Sequence, residues 1–397
     1  MLRFRRLVAI NCCSSTAKLT ITLGLTVLLV GLYRIWNTAP YYRCSFLHKS
    51  EVSRRPFTSV EGNQTPIVAP ETKHGEKTRI AYIKVHKTAS TTIAALIQRY
   101  GLNHRLTFAL PLPKSLYHIG FYQTFDPVNV RPLPKGKVYE ALCQHVVYNR
   151  TAFRKYMPKD MRIIASVREP FDRSVSAFNY FKAYSKSVSS KANISGNAVT
   201  LIREFFKKPN YYEPSIYTRG SLVMNRMAFD LGIPRAQYFN ATYVDEYIQQ
   251  LDEDMAVVLI AEYIDQSLVL LKRIMGWSTE DILYTVRHKG KTKPQFPNDL
   301  RIAHRKLAPA EYQIYDYFLK KFNISYSKEA EIEQEVRVFK DTLHRVKTFC
   351  LSKKQELMVP PTKFDKGFNF TRTDCYFMNL EETAFVTFLS KLQNPQV

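Results

Sequence analysis

Residues 79–100 read RIAYIKVHKTASTTIAALIQRY, and the two ends of this stretch follow different patterns. Arg79–Val85 is rich in β-branched and aromatic residues and predicts a strand, whereas Thr91–Tyr100 predicts a helix. Between them lies His86-Lys87-Thr88-Ala89-Ser90-Thr91-Thr92. Small residues there let the backbone curl tightly, and the opening of a helix presents unbonded N–H groups toward an anion. The hydroxyls of Ser90, Thr91 and Thr92 add donors, and Lys87 adds a mobile charge. The pattern G-x-x-x-x-G-K-[ST] is absent and the lysine precedes the hydroxyl cluster, so no Mg²⁺ seat of the usual nucleotide-binding kind is expected. An ordinary strand–turn–helix with a Ser/Thr N-cap also fits the heptapeptide taken alone.

Working outward, Lys137–Cys143 (KVYEALC) and Arg162–Val167 (RIIASV) predict further strands, and Ala256–Ile260 a buried one. Helices are expected over about 171–184, 222–231, 267–275, 310–322 and 328–349. The polar segment 185–200 is expected to be a surface loop. Strands alternating with helices predict an α/β fold, a mainly parallel central sheet flanked by helices. A second anion site is expected at Ser166–Ser176. Arg168 falls just past a strand, where open α/β sheets bind ligands, and Ser176 follows two helical turns later. Arginine offers a rigid fork to a phosphate. A salt bridge from Arg168 to Glu169 or Asp172 is the alternative, and Arg173 is expected on the surface.

The 397 residues carry a net charge of +24, with 45% apolar and 13% aromatic residues. That is globular composition, and the charge calls for an anionic partner. Arg3, Arg5, Arg6, Lys18 and Arg34 precede residue 37 with no acid, which places +5 there and +19 beyond it. Leu19–Tyr33 is uncharged. With snorkelling from Lys18 and Arg34, and with Ile35 and Trp36 at the interface, residues 19–36 are expected to form an uncleaved signal-anchor. A tail at 1–18 then faces the cytosol, 37–77 is a stem, and 78–397 is one lumenal domain. Asn-x-Ser/Thr triplets begin at Asn63, Asn149, Asn193, Asn240, Asn323 and Asn369, where chance gives about two. Cys12 and Cys13 precede the anchor. Cys44, Cys143, Cys350 and Cys375 follow it and allow three pairings, of which Cys350–Cys375 is the most local. A lumenal domain without zinc-finger spacing or basic-region heptads argues against nucleic acid as partner.

Together the two anion sites resemble the 5′-phosphosulfate and 3′-phosphate loops of sulfotransferases that use 3′-phosphoadenosine-5′-phosphosulfate (PAPS). IKVHKTASTTI (83–93), YGLNHRLTFALP (100–111), NRMAFDLG (225–232), VLIAEYIDQSLVLLKRIMGW (258–277) and YDYFLKKFNIS (315–325) are similar to the galactose-3-O-sulfotransferase family, which includes galactosylceramide sulfotransferase. The resemblance covers about 80–350. It implies a P-loop-like sulfotransferase fold, a type II Golgi membrane protein, PAPS as donor and no metal requirement. It implies a galactose-terminated glycolipid or glycan as acceptor, and it leaves room for a homodimer. Lys87, Thr88, Ala89, Ser90, Thr91 and Thr92 match the 5′-phosphosulfate loop, and Arg168 with Ser176 matches the 3′-phosphate pair. His145, in ALCQHVVYN (141–149), matches a family histidine and is the candidate base, with His86 as second choice. Lys87 is assigned to the charge that builds on the leaving oxygen. Ala89 stands where many relatives have Gly, which is tolerated unless the position needs φ > 0.

Arg287-His288-Lys289-Gly290-Lys291 departs from the family pattern; it reads as a contact to donor or acidic acceptor, or as a solvated turn. Glu262 reads as a sugar ligand or base-orienting group, or as a salt-bridge partner. Tyr and Trp rings can stack on sugars, but 25 Tyr and 25 Phe leave no way to choose among aromatics. Two other readings compete: a uronyl 2-O-type sulfotransferase acting on an acidic polysaccharide, and a non-enzymatic membrane-anchored glycan-binding protein. A P-loop kinase is disfavoured by the missing phosphate-loop pattern.

Overall fold

A computed structural model describes residues 79–394 apart from 114, 116, 121, 218, 219 and 287–294. The expected tail, anchor and stem, Cys12, Cys13, Cys44, Asn63 and the basic run 287–291 lie outside the described residues. Among the described residues no helix is long and apolar enough to cross a membrane.

Every residue of β1 (Ile80–Ile83) is fully buried. A strand can be apolar on both faces only inside a parallel sheet covered on both sides. β1 pairs in parallel with β2 (Ala141–Leu142) on one side and β3 (Arg162–Val167) on the other, with Ile83 opposite Ala165. β3 pairs in parallel with β4 (Met255–Ile260), and the order is β2-β1-β3-β4. The chain leaves β1 toward β2 and returns across it to β3. The carboxyl ends of β1 and β3 therefore form the switch point, where the loops part and leave a crevice.

The expected strand over 137–143 shortens to two residues. The Thr107 carbonyl accepts both the Glu140 N–H at 2.8 Å and the Ala141 N–H at 3.1 Å, so residues 107–109 pair with this edge. The helix after β3 runs Pro170–Tyr180, opened by Pro170 at its first turn and by Glu169 Oε2 accepting from Asp172 N. The segment 185–200 is not a loop. A helix spans Ala183–Ala192 and another opens at Ala198, capped by Asn197. Its apolar period is sparse, but Tyr184 and Val188 are one turn apart and both fully buried against Phe178 and Phe205. Of 222–231, only Arg226–Asp230 is helical. The Leu222 and Val223 carbonyls instead accept from Arg173. The long C-terminal helices run Pro309–Ser327 and Ile332–Leu351.

Beyond them comes a hairpin, β5 (Glu356–Val359) with β6 (Phe368–Thr371), and helices Arg372–Asn379 and Glu382–Gln393. Cys350 and Cys375 form a disulfide, as the local pairing anticipates, and Cys143 is a buried free thiol. The last helix packs against Ser90–Asn103, and Gln393 bonds the Phe108 N–H and carbonyl at 2.8 and 3.0 Å.

Candidate active site

The loop leaving β1 twists twice into the left-handed region, at Lys87 (φ 66°) and Ala89 (φ 62°). Left-handed residues set among right-handed ones turn successive N–H groups to one side and form an anion-binding nest. Ala89 is itself the N-cap of the helix Ser90–Asn103. The alternative of an ordinary Ser/Thr-capped turn is not what forms: no side chain caps this end, and no acid lies in its first turn. Its positive end is left to a ligand. The condition attached to Ala89 is met, because the position does require φ > 0. A hydrogen-bonded line Tyr82 Oη–Ser166 Oγ (2.5 Å), Ser166 Oγ–Thr88 Oγ1 (2.6 Å) and Thr88 Oγ1–Val85 carbonyl (2.9 Å) pins the loop to β1 and β3. The Thr88 hydroxyl is thus consumed in holding the loop. Ser90 and Thr92 are buried at the helix start, and Thr91 is half-buried.

Lys87 and Arg168 meet at the switch point. Arg168 Nη1 donates to the Lys87 carbonyl at 3.3 Å, and its Nε lies 3.9 Å from Glu262 Oε1. Glu262 also accepts from the Glu169 N–H at 3.0 Å. Neither Glu169 nor Asp172 takes Arg168; both pair with Arg301, at 3.2 and 2.8 Å. Ser176 is half-buried, two turns into Pro170–Tyr180. Arg173 is not a surface residue. It is fully buried against Glu311 at 3.1 Å. The Lys87 ammonium lies 3.8 Å above the Tyr180 ring. Burial, then the positive fields of Arg168 and Arg173, pull its pKa down from 10.5 to about 8. An ammonium so depressed marks a place short of negative charge.

Three stacked imidazoles begin at His86, the residue before Lys87. His86 and His145 have ring centroids 3.8 Å apart, and His118 lies 5.2 Å from His145 and 6.1 Å from His86. His145 Nδ1 is 2.8 Å from the Lys84 carbonyl. A carbonyl only accepts, so Nδ1 carries the proton and Nε2 keeps its lone pair. His86 Nδ1 faces Asp230 Oδ2 at 2.8 Å and Arg226 Nε at 3.1 Å, and the His86 N–H also donates to Asp230. Burial, reinforced by neighbouring cations, holds His86 and His145 well below 6.5 and His118 at about 4, so all three are neutral at pH 7.

Lys87, Arg168, His86 and His145 therefore converge on the carboxyl ends of β1 to β3. Glu262 acts on Arg168 rather than on a base. Reading the sequence missed His118, Arg226 and Asp230. Only the parallel bridge His118↔His145 brings His118 in, and no local pattern announces that pairing. Arg226 and Asp230 sit in NRMAFDLG, and their opposite charges at i, i+4 were the available signal; they form a 2.8 Å ion pair. No group of three or more metal-ligating side chains occurs among the described residues.

Residues 17–365 match the family model described as galactose-3-O-sulfotransferase. Galactose-3-O-sulfotransferase 3 of Mus musculus is 29% identical over 289 residues, 71% of this chain and 64% of the relative. Galactosylceramide sulfotransferase of Homo sapiens is 28% identical over 280 residues, 68% of this chain and 64% of the relative. The mouse galactosylceramide sulfotransferase is 31% identical over 209 residues, 52% of this chain and 47% of the relative. The chain thus matches 64% of the length of the first two relatives and 47% of the third, less than two thirds in each case.

Proposed function

This chain belongs to the galactose-3-O-sulfotransferase family, and from that premise we propose that it moves the sulfuryl group of PAPS to a hydroxyl of galactose, the 3-OH. One observation carries the reading. The left-handed Lys87–Ala89 loop, the uncapped helix end and Arg168 converge at the β1/β3 switch point, with Arg168 bonded to the loop itself. Two cations and a helix N-terminus there, without a neutralising acid in the helix's first turn, suit a ligand with phosphate and sulfate at opposite ends.

When bound, the donor supplies the sulfuryl group and the departing phosphate oxygen. Backbone N–H groups of the loop hold its 5′ end, and Arg168 with Ser176 holds the 3′-phosphate. His145 Nε2 accepts the acceptor hydroxyl proton as the new O–S bond forms, a step worth about 10²–10⁴-fold. Lys87 faces the oxygen that gains charge as the old S–O bond breaks, and it stabilises that charge more than the ground state. His86, held by Asp230 and Arg226, packs against His145 and fixes its plane.

We further propose that residues 19–36 anchor the chain in the Golgi membrane with the catalytic domain lumenal. The Cys350–Cys375 disulfide suits an oxidising compartment. Asn193, Asn240, Asn323 and Asn369 are exposed, as glycan carriers must be. Incubating the full chain with ³⁵S-labelled PAPS and a panel of galactosides, galactolipids and glycosaminoglycans, followed by linkage analysis, tests the activity. Label on galactose O3 is expected. Label confined to a uronic acid, or no transfer, removes the proposal.

A further inference from the structure

Next to the imidazole stack is a cavity of about 460 Å³, within the size range of small-ligand sites. Tyr122 and Phe229 are its aromatic walls, and Gln123, Thr124, Asp126 and Arg235 supply polar groups. Resting on the sulfuryl-transfer reading above, we infer that this cavity seats the acceptor as a neutral galactoside, with the sugar ring against Tyr122 and Phe229.

The cavity is tied to the base by strand geometry. Val147, on its wall, is two residues after His145, and both take part in parallel bridges, His118↔His145 and Thr124↔Val147. Side chains two apart in an extended segment point to the same side, about 7 Å from each other. A pyranose ring between them can present one hydroxyl to His145 while its carbon face meets the aromatic wall. The Tyr122 ring is also 6.1 Å from His118.

The wall is built and held. The Arg226 guanidinium lies 4.8 Å from the Tyr122 ring and 4.7 Å from the Phe229 ring, and it is fixed from behind by Asp230 at 2.8 Å. Gly220 closes the rear: a Cβ there would come within 3.2 Å of Arg226 Nη1 and 3.3 Å of Arg235 Nη2. Tyr122 itself is held at φ 61°, a conformation bulky residues avoid and one that tends to persist where it serves a site.

The chemistry of the lining selects the occupant. In galactose the axial 4-hydroxyl leaves an unbroken C–H patch on one face, which suits an aromatic wall, while the hydroxyls point to the rim. Asp126 and Arg235 there place one anion and one cation, with the Arg235 guanidinium 5.6 Å from the Phe229 ring. An acidic polysaccharide would gain one cation and meet one carboxylate, so a neutral sugar fits better.

The test uses saturation-transfer NMR on the full chain with lactose, in the presence of 3′-phosphoadenosine-5′-phosphate (PAP). Wild type is expected to bind lactose. Tyr122→Ala should weaken it about 10-fold or more, and Tyr122→Phe, which keeps the ring, should recover most of that. PAP affinity should not follow. Arg235→Ala, at an exposed side chain, should weaken lactose severalfold and serves if Tyr122→Ala fails to fold. No lactose binding by wild type, equal binding by Tyr122→Ala and Arg235→Ala, or displacement of lactose by a uronic-acid oligosaccharide would overturn the inference. If lactose binds but no sulfuryl moves, the transfer reading fails and the sugar site stands. If sulfuryl moves to lactose with an unchanged acceptor KM in Tyr122→Ala and Arg235→Ala, the sugar site fails and the transfer reading stands.

Discussion

Raising the pH from 7 to 9 should loosen nucleotide binding through one side chain, Lys87. In the free protein its pKa is about 8, pulled down by burial first and by Arg168 and Arg173 second. PAP places anionic groups beside the ammonium and raises that pKa, so the complex holds the proton where the free protein has lost it. Binding then takes up a proton above pH 8 and weakens as pH rises. Lys87 is about nine-tenths protonated at pH 7 and about one-tenth at pH 9, so affinity should fall about 10-fold over that window and hardly change below pH 7. Stability of the free protein moves the other way. The folded pKa lies below the unfolded 10.5, so the folded state binds fewer protons from about pH 8 to 10.5, and the Lys87 penalty eases as pH rises through that range. Calorimetric titration with PAP at pH 7, 8 and 9, in two buffers of different ionisation enthalpy, reads both the affinity and the proton uptake. Lys87→Arg stays charged throughout and should lose the pH dependence and the uptake. A flat wild-type affinity, or the same slope in Lys87→Arg, would show that Lys87 does not face the nucleotide.

Three further outcomes follow from the geometry. His145→Gln should lower kcat about 10²–10⁴-fold while PAP affinity holds; because His145 is held well below 6.5, the wild-type rate should stay level from pH 7.5 to 6.5, as a stopped assay across that range will read. Ala89→Gly should stabilise the fold by about 1 kcal/mol in denaturant titration, since the left-handed region costs an L-residue about 1–2 kcal/mol and glycine's extra unfolded entropy returns part of it. Arg173→Met should cost about 3–5 kcal/mol by the same measurement, because it leaves the fully buried Glu311 carboxylate without its partner.

The parallel sheet was legible because its signal is local. RIAYIKV and RIIASV are continuous apolar runs followed by helix starts, and both lie where they were expected. The turn at Lys87–Ala89 was legible for the same reason, since it joins β1 to the helix from Ser90 within one contiguous segment. Arg168 was found from its place past a strand, but its partner was not. Glu262 reaches it from the end of β4, 94 residues on, whereas the tempting neighbours Glu169 and Asp172 turn outward to Arg301. The helix Ala183–Ala192 was misread because its sequence is mostly Ser and Lys. Two buried side chains one turn apart suffice when a neighbouring helix covers them. Arg173 was misread because charge was taken for exposure, although a buried guanidinium can be met by Glu311 and two carbonyls.

The imidazole stack shows why the C-terminal helix belongs to this site. Lys84, at the end of β1, is 1% exposed, and its positive field depresses His86, His118 and His145 alike. Its carbonyl is also the acceptor that sets the His145 tautomer. The backbone position cannot be given up, and an uncompensated ammonium there would push the imidazoles further from useful basicity. Glu382, at the first turn of Glu382–Gln393, supplies the countercharge in a buried ion pair with Lys84. The family-model match ends at residue 365, yet the charge balance around His145 is completed 17 residues later. A chain cut after residue 365 would keep the Lys87–Ala89 loop and every side chain of the stack, and would leave Lys84 buried and without its Glu382 partner beside them. Breaking such a pair costs more than never having built it, so the last helix acts on the proton affinity of the three imidazoles as well as on the fold.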